Sequence, residues 1–576
     1  MKIKSIIAAA AILSSTISMA QVMVKNYTFD DPSTGGNETN FNFVTDQFDT
    51  DYIISGSTED RGGNLDFHLT LRDLNGVIIW DRLYDFGPED HLSSVVTTKG
   101  NEISVVGTYL NGGLMRGKVL IIDGNSGNLL NQTDVYEPGR DTYLLGSDFS
   151  NSSADIAVCG FVADPNGNML TAQKDSYVAN LNSSLNLNWS NSYTSNTSGN
   201  EVYNMFSKVK FVNINGVEQI YLTGSQSYPE PNYAETQAVS NILLDTGGGT
   251  VWDNPFIATF PGHWTFGVDV IENTNTNELI LLCQETETHE SFIAQLDNSG
   301  AIMAGHHYYI SPNMNNFGCD LEWINMGQTF AVAGYQNHNS NNYKAYMMEV
   351  DANLVGGLTV YNKEYLKHNL YNYGSATGNV VYKPYTALGA IRPFIYNPEM
   401  VTRHSSNSHL YLLTGENTST VGSVINTKLW RTPAIGTNSD CTDPMTITDS
   451  KLFYTQVNPL DQLGNGTTLD QPNLMDLNQN YSQAMYCGYE FGKLSMEQAS
   501  LEVAYIQEGL YLENDGSLQN LRVSISDIMG REVSRLEVEL QDEKVISLDG
   551  LNENSIYFIE VTDLNTGQQE RLSISK

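Results

Sequence analysis

The sequence predicts an all-β chain: a seven-bladed β-propeller, within a range of six to eight blades, followed by a small C-terminal β-sandwich. Three observations carry this. A short apolar run ending in a small residue and glycine recurs along the chain, a second β-like run closed by Asp or Asn follows each copy, and no helical periodicity separates them.

The first phrase appears as Ile53-Ile54-Ser55-Gly56, Ser104-Val105-Val106-Gly107, Ala157-Val158-Cys159-Gly160, Tyr221-Leu222-Thr223-Gly224, Ala331-Val332-Ala333-Gly334 and Leu412-Leu413-Thr414-Gly415, with Leu279-Ile280-Leu281-Leu282-Cys283 as a degenerate copy. The second run ends at Asp73, Asp123, Asn182, Asp245, Asp297 and Asp351, usually with glycine close behind. Such residues close tight turns between antiparallel strands, because Asp and Asn bond their own backbone and Gly accepts positive φ. The spacing leaves room for about four short strands per unit, which suits a propeller blade and far exceeds the rung of a β-helix. The wide interval from Gly334 to Gly415 predicts an insertion or an eroded eighth blade around Val380 to Met400.

An open fan of blades would leave unpaired edges at its first and last units. The early run Val22-Met23-Val24-Lys25-Asn26-Tyr27-Thr28-Phe29 has no blade of its own, and the last unit stops soon after Lys428-Leu429-Trp430. The N-terminal strand is therefore expected to complete the last blade.

These repeats resemble secreted propellers whose blades read strand-Gly, loop, strand-Asp-x-x-Gly-x-x-x-Trp. Trp80, Trp189 and Trp252 stand at the closing position, as in tryptophan-docked quinoprotein propellers, and are read as packing between blades.

The chain opens with Met1-Lys2-Ile3-Lys4, an apolar stretch to Ile17, and Ser18-Met19-Ala20 before Gln21. A positive start, a short apolar core and a small-x-small site define a secretory signal peptide. The apolar stretch is too short for a membrane span, so no transmembrane segment is expected. The formal net charge is −37, from 29 basic and 66 acidic residues. That balance repels phosphate backbones and argues against nucleic acid as a partner. Of five cysteines, Cys159 and Cys283 end apolar strands and are expected to be buried free thiols; an exported chain permits a bridge between Cys441 and Cys487, but the sequence does not fix the connectivity.

After about Leu501 a compact alternating pattern begins, through Leu521 to Val533, Val545 to Leu551, Ser555 to Val561 and Gln569 to Lys576. This region resembles the type A sorting domain of the type IX secretion system of Bacteroidota. The residues matching that motif are Gly530, Leu551, Tyr557, Phe558 and the basic end Lys576. The usual Tyr-Pro-Asn-Pro opening is replaced near Ile506-Gln507-Glu508-Gly509-Leu510, and Ser555 stands where glycine is common. The resemblance implies the type IX machinery as a partner, export across the outer membrane, and release or attachment at the cell surface. The expected domains are thus 1–20 signal peptide, 21–435 propeller, 436–500 linker or bridging segment, and 501–576 sorting domain.

No GxSxG, HExxH, P-loop, GxGxxG or CxxC pattern occurs in a supporting context. Adjacent His306 and His307 sit in a strand-like run, where neighbouring side chains face opposite ways and cannot grip one metal. No cofactor is expected; calcium alone is left open, by turns such as 123–128 and 164–168, which plain hairpins also explain. The loops after the glycine phrases should share one face of the disc. They carry Glu59, Asp60, Tyr109, Asp164, Tyr228, Glu230, Tyr233, Glu285, His289, Tyr335 and His338, a mixture of aromatic and carboxylate groups suited to a glycan or protein ligand. A non-catalytic binding or adhesion protein is the first function class. A secreted hydrolase or lyase acting on polysaccharide or peptide, through paired carboxylates, is the second.

Overall fold

The computed structural model describes Met23–Phe29, residues 38–370 with short interruptions of which 196–203 is the longest, and a series of strands between Val401 and Ser575. The described chain is built of β-strands, with one 3-10 turn at Leu354–Gly356. Among the described residues no helix is long and apolar enough to cross a membrane. The chain divides into two compact units, one holding residues 26–482 and the other 483–576 with Met23–Lys25.

Six sheets of the first unit form a propeller arrangement, each a meander of four antiparallel strands in chain order. Blade 1 begins with Glu38–Phe48, blade 2 with Asp90–Thr97, blade 3 with Asp141–Phe149, blade 4 with Met205–Ile214, blade 5 with Thr265–Asn273 and blade 6 with Asn316–Asn325. The fourth strand of blade 4 is split into Thr250–Asp253 and Phe256–Ala258. Strands Val401–Arg403, Leu410–Asn417 and Ile425–Thr432 pair in sequence, and Met23–Phe29 pairs with Ile425–Thr432. The insertion expected near Val380 to Met400, the signal peptide at 1–20 and Cys441 lie outside the described residues.

The recurring glycine has a steric cause. Each first strand carries a β-bulge opposite the second strand's glycine phrase, as at Leu144/Gly146 facing Gly160 and Phe206/Lys208 facing Gly224. The bulge thrusts a carbonyl at the glycine. A Cβ would meet the main-chain oxygen of His91 at 2.3 Å from Gly107, of Tyr143 at 1.9 Å from Gly160, of Met205 at 2.0 Å from Gly224 and of Phe317 at 2.1 Å from Gly334. Blade 5 meets the same need differently: Cys283 replaces glycine, and its partner on the first strand is Gly267.

The Asp or Asn turns are hairpins whose carboxylate or amide oxygen accepts main-chain N–H groups. Asp245 Oδ1 takes Gly247 N at 2.9 Å and Gly249 N at 2.8 Å, and Asp297 Oδ1 takes Ser299 N at 2.8 Å and Ala301 N at 3.0 Å. The five turns from Asp123 to Asp351 are docked by the preceding blade's outer strand. Trp80 Nε1 donates to Gly124 O at 2.7 Å, Trp189 Nε1 to Thr246 O at 2.8 Å, and Trp252 Nε1 to Asn298 O at 3.2 Å. The rings lie over Gly127, Gly248 and Gly300, all at positive φ, where a Cβ would approach within 2.9 Å. The tryptophans do pack between blades. Where one is lacking a polar group serves: Asn131 Nδ2 reaches Ser184 O at 3.1 Å, and His306 Nε2 reaches Leu354 O at 2.9 Å. Trp80→Ala should cost about 3–5 kcal/mol in chemical denaturation, since it removes a buried ring and orphans the Gly124 carbonyl.

The sequence reading makes 436–500 a linker or bridging segment. Its stretch from Thr442 to Asn478 instead forms a belt, adding a fifth, antiparallel strand to the outer edge of every blade in reverse order. Thr442–Pro444 pairs with blade 6, Thr446–Lys451 with blade 5, Tyr454–Gln456 with blade 4, Asp461–Gly464 with blade 3, Thr468–Asp470 with blade 2 and Met475–Asn478 with blade 1. The second unit contains two four-stranded antiparallel sheets, one of Leu494–Ser495, Glu502–Ile506, Gly509–Glu513 and Glu543–Ile546, the other of Glu532–Leu540, Gln519–Asp527, Ile556–Asp563 and Gln569–Ser575. Leu521, Val523, Ile525, Ile559 and Val561 are buried on the second sheet, as period-two alternation requires.

Candidate functional site

The first strands converge on a cavity of about 330 Å³. Blade 1 contributes Asp46, blade 3 Asp148, blade 4 Lys208 and Lys210, blade 5 Asp269 and Glu272, and blade 6 Asp320 and Glu322. The strands alternate, so an acid flanked by apolar residues, as in Val268-Asp269-Val270, turns its carboxylate away from the packed face. Thr274 and Met326, at the turns between first and second strands, also line the cavity and place it toward that face.

The charges are tied together. Lys208 Nζ lies 3.2 Å from Asp269 Oδ1, and Lys210 Nζ 3.7 Å from Asp148 Oδ1. Every one of the six acids also accepts a main-chain N–H. Four of these bonds cross to an adjacent blade: Thr97 N to Asp46 Oδ2 at 2.7 Å, Phe211 N to Asp148 Oδ2 at 2.6 Å, Leu321 N to Asp269 Oδ2 at 2.8 Å and Asn213 N to Glu272 Oε2 at 2.9 Å. Asp320 and Glu322 accept from the N–H of the residue that follows each.

Burial pushes Asp46 up to about 6, against hydrogen bonds from Thr97 and Gln47 and the charge of Lys210. Burial likewise raises Glu322 to about 7, opposed by Lys210 and reinforced by Asp46 and Asp269. Burial also acts upward on Asp269, but Lys208, the bonds from Asp320 and Leu321 N, and Lys210 hold it below the ordinary range. A carboxyl raised on folding destabilises the native state increasingly as the pH climbs from its unfolded value near 4.5, and fully once the pH exceeds its folded value. Glu322→Gln should therefore stabilise the protein above pH 7, by at most about 3 kcal/mol, and lose that advantage by pH 4, read as the difference in denaturation midpoints across this range.

Among the residues singled out from sequence whose side chains are described, none lines this cavity. The sequence pattern places them in loops, but the second strands run on past their glycines, so Glu59, Tyr109 and Glu285 are strand residues, each nearly inaccessible to solvent. Tyr109 donates to Asp134 Oδ2, beside a buried pair in which Lys118 Nζ lies 2.7 Å from Asp134 Oδ1. Lys118 also stands 4.5 and 4.6 Å from the ring centres of Phe86 and Tyr109. Asp164 is exposed and 3.6 Å from Arg140 Nε. The backbones of Asp60, Tyr335 and His338 lie in strands, and Glu230 pairs across its hairpin with Tyr233, beside Tyr228; the placement of these six side chains lies outside what is described. So do His289, Gly530, Leu551 and Lys576 entirely. Tyr557 is buried and, like Phe558, belongs to the strand Ile556–Asp563, opposite Asp527 and Ser526 respectively.

His306 and His307 diverge as expected: the first binds the Leu354 carbonyl, while the second lies 5.2 Å from the Phe292 ring with its basicity lowered by burial. Cys159, Cys283 and Cys319 are buried free thiols, as read for the first two. The sequence did contain the signal for the axial acids, because an acid follows the bulge within the strand before four of the glycine or cysteine phrases. Without the bulge, nothing distinguished it from a solvated turn acid.

No protein-family description matches the chain, and no curated protein matches it. Among solved structures it is similar to the polysaccharide lyase Uly1, at 10% identity over 68% of this chain and 89% of that one, with a TM-score of 0.37. It is also similar to a protein of unknown function from Dyadobacter fermentans DSM 18053, at 8% identity over 71% and 98% with a TM-score of 0.35. A third is 1,3Gal43A, an exo-β-1,3-galactanase from Clostridium thermocellum, at 10% identity over 78% and 84% with a TM-score of 0.30. Likeness this distant carries no argument about activity; the propeller arrangement stands on the strand pairings themselves.

Proposed function

We propose that this chain is a non-catalytic binding or adhesion protein, delivered to the outer cell surface or beyond by a signal peptide and the type IX secretion machinery. In this reading the strands from Val401 to Thr432, with Met23–Phe29, are a seventh blade, and the two sheets of the second unit form the sorting sandwich. The observation that carries the binding reading is the use made of the axial acids: all six spend an oxygen on a main-chain N–H. Carboxylates so committed stitch blades together and hold a fixed, polar, net-negative surface. That suits recognition of hydroxyl-rich or cationic groups better than proton shuttling.

A second reading, a hydrolase or lyase, draws on Asp46 and Glu322, two carboxyls raised toward neutrality at one cavity. Glycan and peptide arrays probed with the chain from residue 21 onward, with turnover assayed on every bound ligand, separate the two. Retention without turnover is the expected result. Cleavage of a bound ligand that is lost in Glu322→Gln would replace the first reading with the second. Export is tested separately, by fusing residues 490–576 to a reporter in a host with the type IX system; a reporter kept in the periplasm would reject that route.

A further inference from the structure

Where blade 1 passes to blade 2, three carboxylates meet that no reading of the repeats required. Asp66 lies on the third strand of blade 1, Asp85 ends its fourth, and Asp90 begins the first strand of blade 2. One oxygen from each lies within 4.8 Å of the others. Asp66 and Asp90 are fully buried and Asp85 is half-buried.

The buried end of Asp90 is what makes this more than an acidic cluster. Its Oδ2 accepts Phe86 N at 2.6 Å, but its Oδ1 is buried without a hydrogen-bond partner. Among the described residues neither Asp85 nor Asp90 pairs with a Lys or Arg, and the charges of Asp66 and Asp85 act on Asp90 with the same sign. A buried carboxylate oxygen beside two like charges is a costly arrangement unless the group holds a proton or a cation joins it.

The surroundings are built to hold still. Asp85 Oδ1 accepts Gly87 N at 3.1 Å, and Asp66 Oδ1 accepts Asn64 Nδ2 at 2.9 Å. The intervening loop is fastened to both blades, with Leu65 N donating to Pro88 O and Leu110 N to Glu89 O. Phe86 is wedged edge-on between Phe67 and Tyr109, 5.4 and 5.8 Å between ring centres.

We infer that Asp66, Asp85 and Asp90 form a calcium site that locks the junction of blades 1 and 2. The donors are all oxygen, which selects a hard cation over zinc. Three carboxylates drawn from separate strands suit the loose, high coordination of calcium better than the strict octahedron of magnesium. The site is independent of the binding reading and stands whether or not the axial cavity takes a ligand.

The test is thermal unfolding of the chelator-treated chain, from residue 21 to the end, titrated with CaCl2 and in parallel with MgCl2. Wild type should show a saturable rise in Tm with calcium and a smaller one with magnesium at equal concentration. Asp90→Asn should shift the calcium concentration giving half the rise upward by about tenfold or more, because ligand charge sets calcium affinity. Asp85→Asn, at the half-buried edge, should do the same, and serves if Asp90→Asn fails to fold. A Tm indifferent to calcium, an equal response to magnesium, or variants responding as wild type would overturn the assignment.

Discussion

A chain ending at residue 435 is expected to lose its cooperative thermal transition or to melt at least about 10 °C below a chain ending at residue 490. The shorter chain keeps the four-stranded meanders but loses the belt that pairs with all six outer strands. Each main-chain bond contributes on the order of 1 kcal/mol net, and the belt supplies a rung to every blade. Its removal does a second kind of damage. Six outer edges, from Ile78–Asp85 in blade 1 to Val360–Leu370 in blade 6, would present unpaired N–H and C=O groups, the template for edge-to-edge aggregation. Comparison with the chain ending at 490, which keeps the belt without most of the second unit, isolates the cause. Equal melting of the two truncations would show that the belt is a passenger.

The belt also shows where reading the sequence runs out. Blade strands were legible because their apolar residues recur with period two between turn residues of fixed chemistry, as at Ile121-Ile122-Asp123-Gly124. The inter-blade role of Trp80 was legible because it falls at a constant distance from a turn. Strands such as Tyr454–Gln456 and Asp461–Gly464 are three or four residues long, too short for a period-two pattern to stand out; their pairing is made of main-chain bonds, which leave no side-chain pattern. The axial acids were obscured for a related reason. Asp148 and Asp269 read as polar breaks in apolar runs, and only the bulge beside each shows that they face inward to catch a neighbouring blade's N–H. The calcium triad joins residues from three strands of two blades, a coincidence of packing with no local motif. Position after the glycine pointed to Glu59 and Glu285 as ligand-facing, but a second strand that continues past its glycine carries them into the interior.

Gly224→Ala is expected to cost about 3 kcal/mol or more, the second of the two largest effects, for a purely steric reason. The added Cβ would lie 2.0 Å from the Met205 carbonyl oxygen and 2.8 Å from the Phe206 Cα, both backbone atoms fixed by the bulge at Phe206/Lys208. No rotamer relieves such a contact, so the first and second strands must part. Gly216→Ala is the control: that glycine sits at a φ of 78° with no atom within 4 Å of a built Cβ, and only the conformational term of about 1 kcal/mol applies. Blade 5 supplies the converse. There the glycine has moved to the first strand, as Gly267, and the second strand carries buried Cys283 at the equivalent register. Cys283→Ala should then cost no more than about 1–2 kcal/mol, the loss of one buried sulfur. Gly224→Cys, which installs in blade 4 the side chain that blade 5 accommodates, should be at least as damaging as Gly224→Ala. Urea denaturation of the four variants orders them, and a Gly224→Cys protein as stable as wild type would show that the bulge yields and that the recurring glycine has some other cause.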